Sequence, residues 1–184
     1  LHSINETGSW VKDNSNGKIL WGDARNKIKT LPKTLKFDLI LLDPFSPPKC
    51  PQLWSEEFLK KVVMHMSPQG RLTTYSRAAA VRSTLKKTGL ELMSLKPKIK
   101  DPLSWSDGTL AVFPNNVNKN PTSTEEWRSL SAMEEEHLLT KAAVPYRDPS
   151  GESTPSEILI RRKIEQESSS LESTKDWKKR WRSL

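Results

Sequence analysis

Two acidic residues stand where strands of a nucleotide-binding sheet would end. Asp43 follows the apolar run "FDLILL", which has the length of one buried strand, and Asp23 follows the shorter run "ILWG". In open α/β sheets, ligands bind beyond the carboxyl ends of the strands. An acid at such an end can accept a hydrogen bond from an adenine amino group or from a substrate amine. We therefore take Asp23 as a candidate cofactor-binding residue and Asp43 as a candidate catalytic residue.

The residues after Asp43 suit an amine substrate. Pro44 stiffens the backbone, and Phe45 offers a ring face that could stack on a base or pack against a sulfonium. Methylation of an amine needs the nitrogen lone pair to point at the methyl carbon, so most of the acceleration comes from positioning. A carboxylate and a nearby backbone carbonyl that accept the two N–H bonds would aim that lone pair, and the carboxylate could receive the proton. A turn or helix cap is the alternative role for Asp43 and for Asp23.

Further candidate contacts lie along the chain. Trp54, Tyr75 and Ser76 could bind substrate in the same cleft, with plain packing as the alternative for each. Cations that would bind RNA phosphates, without reading sequence, are candidates where they are exposed. These candidate RNA contacts are Lys49, Arg82, Arg161, Arg162, Lys178, Lys179 and Arg180. A solvated surface position is the alternative for Lys49, and a surface or salt-bridge role is the slightly favoured alternative for Arg82. Trp177 and Trp181 interleave with cations, as in nucleic-acid contacts, but their i, i+4 spacing could equally dock a helix on the core.

The composition favours a polyanionic partner. The 184 residues carry a net charge of +8, although a merely soluble basic protein would have the same balance. A single cysteine, Cys50, excludes an internal disulfide framework, and the three histidines have no ligand spacing, so we expect no metal. No apolar run approaches the ~20 residues of a membrane span and no signal peptide is visible. We therefore expect no membrane partner and a cytoplasmic location.

The elements that must position these residues alternate between strands and helices. The pattern predicts a strand ending before Asp23, a short helix capped by Asp23, a central strand at 37–42, and a helix capped by Ser55. A turn at 68–70, the strand "RLTTYS", a helix closed by Gly89 and the strands "LELMSLKP" and "TLAVFP" follow. This order predicts an α/β fold with an antiparallel closing pair, in which strand 37–42 is covered on both faces.

Three segments differ in character. Residues 1–17 are polar and weakly patterned, and we expect a loop or the remnant of something larger. Residues 18–114 carry the α/β pattern. Residues 115–184 predict a linker, a polar helix capped by Ser123 or Thr124, and a basic, partly helical tail.

The central part of the chain resembles the methyltransferase domain of the tRNA 5-methylaminomethyl-2-thiouridine biosynthesis protein, the MnmC family. Five motifs occur in the family's order over roughly residues 18–114: Gly-Asp-Ala, Leu-Asp-x-Phe-x-Pro, Cys-Pro-x-x-Trp, Thr-x-x-Ser and Val-Arg-x-x-Leu-x-x-x-Gly. The resemblance implies a Rossmann-like class I methyltransferase. Such an enzyme transfers methyl from S-adenosylmethionine to the aminomethyl group of the wobble uridine in tRNA. The resemblance also implies that Asp23 and Ala24 contact the adenine of the cofactor and that Asp43 faces the substrate amine.

The chain departs from the family pattern at two points. The family's glycine-rich loop is absent, because the seven glycines never form Gly-x-Gly. The acid that follows the family's second strand is absent as well. We therefore expect a sheet that is incomplete at its N-terminus and a chain that could be inactive alone. Pro44 replaces a small residue, which moves the motif toward the Asp-Pro-Pro-Tyr type of other amine methyltransferases. The flavin oxidase domain of two-domain relatives, with its oxidoreductase activity, is not expected, since no dinucleotide-binding glycine pattern follows residue 114.

Two other functions remain open at this point. One is a non-catalytic RNA-binding module in which the basic tail binds the nucleic acid. The other is a nucleotide-dependent oxidoreductase with a Rossmann-like sheet. The missing glycine loop counts more heavily against the oxidoreductase than against the methyltransferase, because the substrate half of a methyltransferase site is still present.

Overall fold

A hairpin replaces the loop that was predicted near the start of the chain. The strands β1 (Ser9–Lys12) and β2 (Ser15–Lys18) pair antiparallel, with Asp13 at a φ of 51° in the connecting turn. Aspartate tolerates this left-handed conformation better than most residues do. Because β2 ends at Lys18, the strand predicted at residues 19–21 is wrong, and these apolar side chains are exposed in the structure.

The computed structural model describes residues 8–97, 106–114 and 126–182. It contains two compact units, Leu1–Pro32 and Lys33–Leu184. The predicted linker at 115–125 and the predicted helix caps Ser123 and Thr124 lie outside the described residues.

The second unit is built on a mixed five-stranded sheet. The strands β3 and β4 are parallel, and every other pair is antiparallel, which confirms the predicted α/β class and the antiparallel closing pair. The order across the sheet is β3-β4-β6-β5-β7. The strands are β3 (Phe37–Leu41), β4 (Met66–Thr74), β5 (Glu91–Leu95), β6 (Gly108–Val112) and β7 (Trp127–Ser129).

Four of the described helices begin at residues that helix-capping rules favour, whereas α3 begins after Ala78 without a side-chain cap. Asp23 caps α1 and Ser55 caps α2, as predicted, and Gly89 follows α3 with a φ of 88°. Capping boxes start α4 and α5. The helices are α1 (Ala24–Lys27), α2 (Glu56–Met64), α3 (Ala79–Lys87), α4 (Ala132–His137), α5 (Pro155–Ser168) and α6 (Thr174–Arg182), with 3₁₀ turns at Ile28–Thr30, Pro51–Trp54 and Lys141–Ala143.

The core of the second unit lies between the middle of the sheet and the helices α2 and α3. All five residues of β6 are buried, and Leu72 of β4 is fully buried. Val81 and Leu85 of α3 are also inaccessible to solvent. This arrangement fixes the carboxyl end of β4, which carries Tyr75 and Ser76.

The strand β3 lies at the edge of the sheet rather than in its middle. Leu41 is 72% exposed and Leu39 is 57% exposed, so the prediction of a strand covered on both faces is wrong for this structure. A continuous apolar run predicts burial only when neighbours exist on both sides. Among the described residues, β3 has a neighbouring strand on one side alone, which is β4.

Two local predictions also fail. The predicted turn at 68–70 lies inside β4, where the register jumps from the pair Phe37 and Met66 to the pair Leu39 and Arg71. The segment is therefore an irregularity within one strand, of the kind a β-bulge produces.

The predicted polar helix begins later than expected, because residues 127–129 form β7 and Ser131 caps α4.

The longest described helix, α5, has 14 residues and presents charged side chains to solvent. Across the described ranges, no helix combines the length and the apolar character needed to cross a membrane.

Candidate active site

The strand β3 delivers Asp43 to the carboxyl edge of the sheet. The Leu42 backbone N–H donates to the Thr73 carbonyl at 2.9 Å, and the Leu42 side chain is buried, so the chain leaves the sheet at a fixed point. Asp43 comes next and is exposed. The carboxylate that the sequence singled out therefore stands at the edge where α/β sheets bind ligands.

A cavity of about 550 Å³ opens beside this carboxylate. This volume lies within the range of small-molecule sites in proteins. Its lining is mainly apolar, with a few polar groups, which is the usual composition of a ligand pocket. The lining residues are Asp43, Pro44, Phe45, Ser46, Cys50, Leu53 and Tyr75. The ring of Phe45 is 78% exposed, so it offers a free face at the mouth.

Two aromatic side chains hold the loop after Asp43. The Tyr75 hydroxyl donates to the Pro44 carbonyl oxygen, and the Trp54 indole N–H donates to the Phe45 carbonyl oxygen, each at 2.8 Å. The two rings pack edge to face, with centroids 6.1 Å apart and an interplanar angle of 89°. Consecutive carbonyls of the loop are thus fixed by side chains that themselves contact each other.

Burial rules out direct substrate contact for two of the predicted substrate-binding residues. Trp54 is 0% exposed, so its ring cannot stack on a base, and its role is to anchor the loop. Ser76 is 4% exposed, and its carbonyl accepts a hydrogen bond from the Thr109 hydroxyl at 2.7 Å. Tyr75, which lies between the loop and the exposed surface, remains available at the cavity.

The local environment keeps the Tyr75 hydroxyl protonated. Desolvation raises the pKa of Tyr75 above its ordinary value of 10.0, and the negative charge of Asp43 acts in the same direction. The phenol is therefore a hydrogen-bond donor throughout the neutral pH range.

Arg82 is a structural residue and not an RNA contact. Its side chain is 1% exposed and forms a buried ion pair with Glu134 at 2.9 Å, so the predicted phosphate contact is wrong. Its guanidinium also donates to the Thr109 hydroxyl at 2.8 Å. Because that hydroxyl donates in turn to the Ser76 carbonyl, the network supports the strand end that carries Tyr75. The remaining acceptors are Ser94 and Ser106 Oγ and the Gly108 carbonyl.

Glu134 is the acidic centre of this buried network. It accepts hydrogen bonds from the Ser94 hydroxyl, the Ser131 backbone and the side chains of Arg82 and Arg128. Burial opposes ionisation, but these donors outweigh it and lower the pKa of Glu134 to about 2. Sequence reasoning missed this pair, although Arg82 follows Val81 on the apolar face of its helix, which is an unusual place for a solvated cation.

The arginines of the tail are also engaged within the protein. The Arg161 guanidinium donates to the Arg147 carbonyl, and the Arg162 guanidinium donates to the carbonyls of Val144 and Ala142 and lies over the ring of Tyr146. Arg180 forms ion pairs with Glu136 and Glu172. These contacts contradict the idea that the tail is a free cationic surface. Lys49, Lys178 and Lys179 are exposed, so they remain candidate RNA contacts.

The tryptophans of the tail dock α6 on α4. Trp177 is buried and stacks on His137, with ring centroids 4.4 Å apart, and the Trp181 indole N–H donates to Glu136. Burial lowers the pKa of His137 from 6.5 to about 4, so its ring is neutral at neutral pH. The structure therefore supports helix docking, rather than nucleic-acid contact, as the role of these two tryptophans.

Asp23 belongs to the first compact unit and caps α1. Its carboxylate accepts hydrogen bonds from the Arg25 backbone N–H at 2.8 Å and from the Arg25 guanidinium. This contact is the main reason that the pKa of Asp23 lies below its ordinary value. Arg25 contacts both carboxylate oxygens, and the Asp23 side chain is still 38% exposed. Ala24 follows it as the first residue of α1.

Metal ligation has no support in the described ranges of the chain. No group of three or more His, Cys, Asp or Glu side chains is placed there to hold a metal ion.

Comparison with known proteins gives a consistent set of similarities. A family model described as S-adenosyl-L-methionine-dependent methyltransferase matches residues 5–100, which is more than half of the chain. The solved structure of MnmC2 from Aquifex aeolicus is similar with a TM-score of 0.74 and 27% identity, over 91% of this chain and 50% of that one. Most of this chain thus shares its fold with part of a solved structure.

Curated relatives match over shorter parts of their length. An uncharacterized protein of Methanocaldococcus jannaschii is 28% identical over 158 residues, which is 85% of this chain and 40% of that protein. The tRNA 5-methylaminomethyl-2-thiouridine biosynthesis bifunctional protein MnmC of Azoarcus sp. is 35% identical over 74 residues, 40% of this chain and 11% of that protein. The chain therefore spans half or less of the length of these relatives.

Proposed function

This chain belongs to the S-adenosyl-L-methionine-dependent methyltransferases, and we propose that it methylates the aminomethyl group of the wobble uridine in tRNA. The observation that carries the proposal is the exposed Asp43 carboxylate beside a cavity of about 550 Å³, at the carboxyl edge of the sheet. The similarity to MnmC, the tRNA 5-methylaminomethyl-2-thiouridine biosynthesis bifunctional protein, supports this substrate class.

The loop residues have separate roles in the proposed reaction. The Asp43 carboxylate accepts one N–H of the substrate amine and can receive its proton, since an alkyl amine is mostly protonated at neutral pH. Pro44 lines the same cavity, and we assign its carbonyl as the acceptor for the second N–H. The exposed Phe45 ring can stack on the uracil base. Bound S-adenosylmethionine supplies the sulfonium methyl group, and the residues of this chain aim the nitrogen at it.

The chain contributes one recognisable part of a cofactor site. The Asp23 carboxylate is 38% exposed, which leaves it accessible to an adenine amino group, and Ala24 adjoins it. The glycine-rich unit that holds the methionine part of the cofactor in the family has no counterpart among these 184 residues, because no Gly-x-Gly occurs. We therefore assign only the adenine end of the cofactor to this chain.

A non-catalytic RNA-binding module is the alternative function. It depends on a basic tail that is free to bind phosphate. Because Arg161, Arg162 and Arg180 hold the tail against the rest of its unit, fewer cations serve that purpose than the sequence suggests. The enzyme is therefore the better supported proposal.

Replacement of Asp43 tests the proposal. In the full-length gene product, Asp43→Ala is expected to lower methyl transfer to tRNA that carries aminomethyl-uridine by at least about 100-fold, because the amine loses its acceptor and base. Binding of S-adenosylmethionine should not change. Transfer of radioactive methyl to tRNA and isothermal titration of the cofactor measure the two quantities.

A matched control distinguishes this role from a general effect of charge. Asp38 is an acid on the same strand whose carboxylate accepts a hydrogen bond from Ser67. Asp38→Asn should keep methyl transfer within about twofold, since a surface substitution of this kind changes little. A fully active Asp43→Ala enzyme would refute the role of Asp43.

A further inference from the structure

We infer that Tyr75 is a positioning residue for the amine: its hydroxyl holds the Pro44 carbonyl oxygen so that this oxygen and the Asp43 carboxylate accept the two N–H bonds. The inference rests on the proposed function, because it names the residue that sets the geometry of that same site. The following observations support it one step at a time.

The first observation is how the loop obtains its rigidity. Pro44, Pro47 and Pro48 have no backbone N–H, so the loop cannot be held by donors of its own at these positions. The hydrogen bond from the Tyr75 hydroxyl to the Pro44 carbonyl bridges 31 positions of sequence, and it reaches the residue directly after Asp43. The direction of this carbonyl is therefore set by a side chain from another strand end.

The second observation is that the Pro44 carbonyl keeps capacity for substrate. A carbonyl oxygen has two lone pairs, and the Tyr75 hydroxyl uses one of them. Pro44, Tyr75 and Asp43 all line the same cavity of about 550 Å³. An amine bound there can meet a carboxylate and a carbonyl whose second lone pair is still available.

The third observation is that the Tyr75 backbone is itself held in place. Its neighbour Ser76 is fixed by the Thr109 hydroxyl, which accepts a hydrogen bond from the buried Arg82 guanidinium. At Gly108, a side chain would come within 2.6 Å of the Thr74 carbonyl, so β6 approaches this strand end as closely as a backbone can. Hydrogen bonds and backbone packing that extend into the core therefore hold the strand end that carries Tyr75.

A single hydroxyl separates positioning from packing in the test. Tyr75→Phe keeps the ring and its edge-to-face contact with Trp54 but removes the donor to Pro44. In the full-length gene product we expect kcat for methylation of aminomethyl-uridine tRNA to fall about 10- to 100-fold, because a displaced acceptor misaligns the amine. The KM for tRNA and the Kd for S-adenosylmethionine should stay within about twofold, since neither depends on this bond.

The second tyrosine of the chain provides the matched control. Tyr146 is buried with its ring against Arg162 and does not line the cavity, so Tyr146→Phe removes a hydroxyl outside the site and should leave kcat unchanged. Because a single hydrogen bond contributes little to stability, the thermal midpoint of Tyr75→Phe should fall by no more than about 4 °C.

The possible outcomes separate this inference from the proposed function. An active wild-type enzyme with an equally active Tyr75→Phe variant overturns the inference and leaves the proposed function intact. A decrease in kcat that comes with loss of cofactor binding, or with a much larger fall in the thermal midpoint, also overturns it, because the hydroxyl would then serve folding. A wild-type enzyme that transfers no methyl to this tRNA refutes the proposed function and the role of Tyr75 with it.

Discussion

At the scale of single residues, the proposed site combines exposed side chains that can contact a substrate with buried side chains that hold the loop in place. Asp43 and Phe45 are exposed at the strand end, where a substrate can reach them. Trp54 was a candidate substrate contact and Arg82 a candidate RNA contact, but both side chains are buried. Their contribution is to hold the backbone whose carbonyls and side chains face the cavity.

The buried pair Arg82–Glu134 should contribute strongly to folding. Removing Arg82 takes from the buried Glu134 carboxylate one of the arginines that pair with it, so Arg82→Met is expected to lower the free energy of unfolding by about 3–5 kcal/mol. Urea denaturation followed by circular dichroism measures this change.

The next ion pair along the same helix is the control. Lys86 and Glu135 form an ion pair at 2.7 Å in which both side chains are about half exposed. Lys86→Met should change the free energy of unfolding by about 1 kcal/mol or less, because exposed ion pairs contribute little. Equal losses in the two variants would contradict the assigned role of the buried pair.

At the scale of elements, the C-terminal helices hold themselves to the second unit by specific contacts. Trp177 of α6 stacks on His137 of α4, and the arginines of α5 donate to backbone carbonyls in the preceding segment. The extension that composition marks as a basic tail is therefore part of the compact unit Lys33–Leu184.

Docking of α6 should depend on pH through His137. The pKa of His137 is about 4 in the folded protein and 6.5 ordinarily, so between these values the unfolded state binds more protons than the folded state. Stability is consequently complete above pH 6.5 and falls as the pH decreases toward 4, by up to about 3 kcal/mol. Denaturant unfolding of the wild type at pH 7 and pH 4.5 measures this loss.

His137→Phe keeps an aromatic ring against Trp177 but cannot take up a proton. Its stability should therefore change less than that of the wild type between pH 7 and pH 4.5. If both proteins lost the same stability over this interval, the dependence would have to arise from other groups.

At the scale of the whole molecule, the sheet ends in an open apolar edge. Leu39 and Leu41 of β3 are largely exposed, and among the described residues only β4 pairs with this strand. Exposed apolar strands at a sheet edge commonly mark interaction sites. The chain also spans half of the solved MnmC2 chain that it matches.

The affinity for S-adenosylmethionine should depend on a Gly-x-Gly unit, which these 184 residues lack. We expect S-adenosylmethionine to bind a longer version of the chain that carries the family's Gly-x-Gly unit and to bind the 184-residue chain much more weakly, because Gly-x-Gly is absent from these residues. Isothermal titration of the cofactor into both proteins measures the difference. Equal affinities would show that the 184 residues hold the complete cofactor site, and no binding to either protein would argue against the enzyme.

The sequence by itself determined the local features of this protein. Helix caps at Asp23 and Ser55, the glycine after α3, the α/β class and the strand-end position of Asp43 follow from residue types and spacing, because caps and periodicity depend on near neighbours. Only the tertiary structure decided which residues were buried and which strands were neighbours. Arg82 and Glu134 meet across 52 positions, Tyr75 and Pro44 across 31, and β3 becomes an edge, because long-range packing is not encoded in any local pattern.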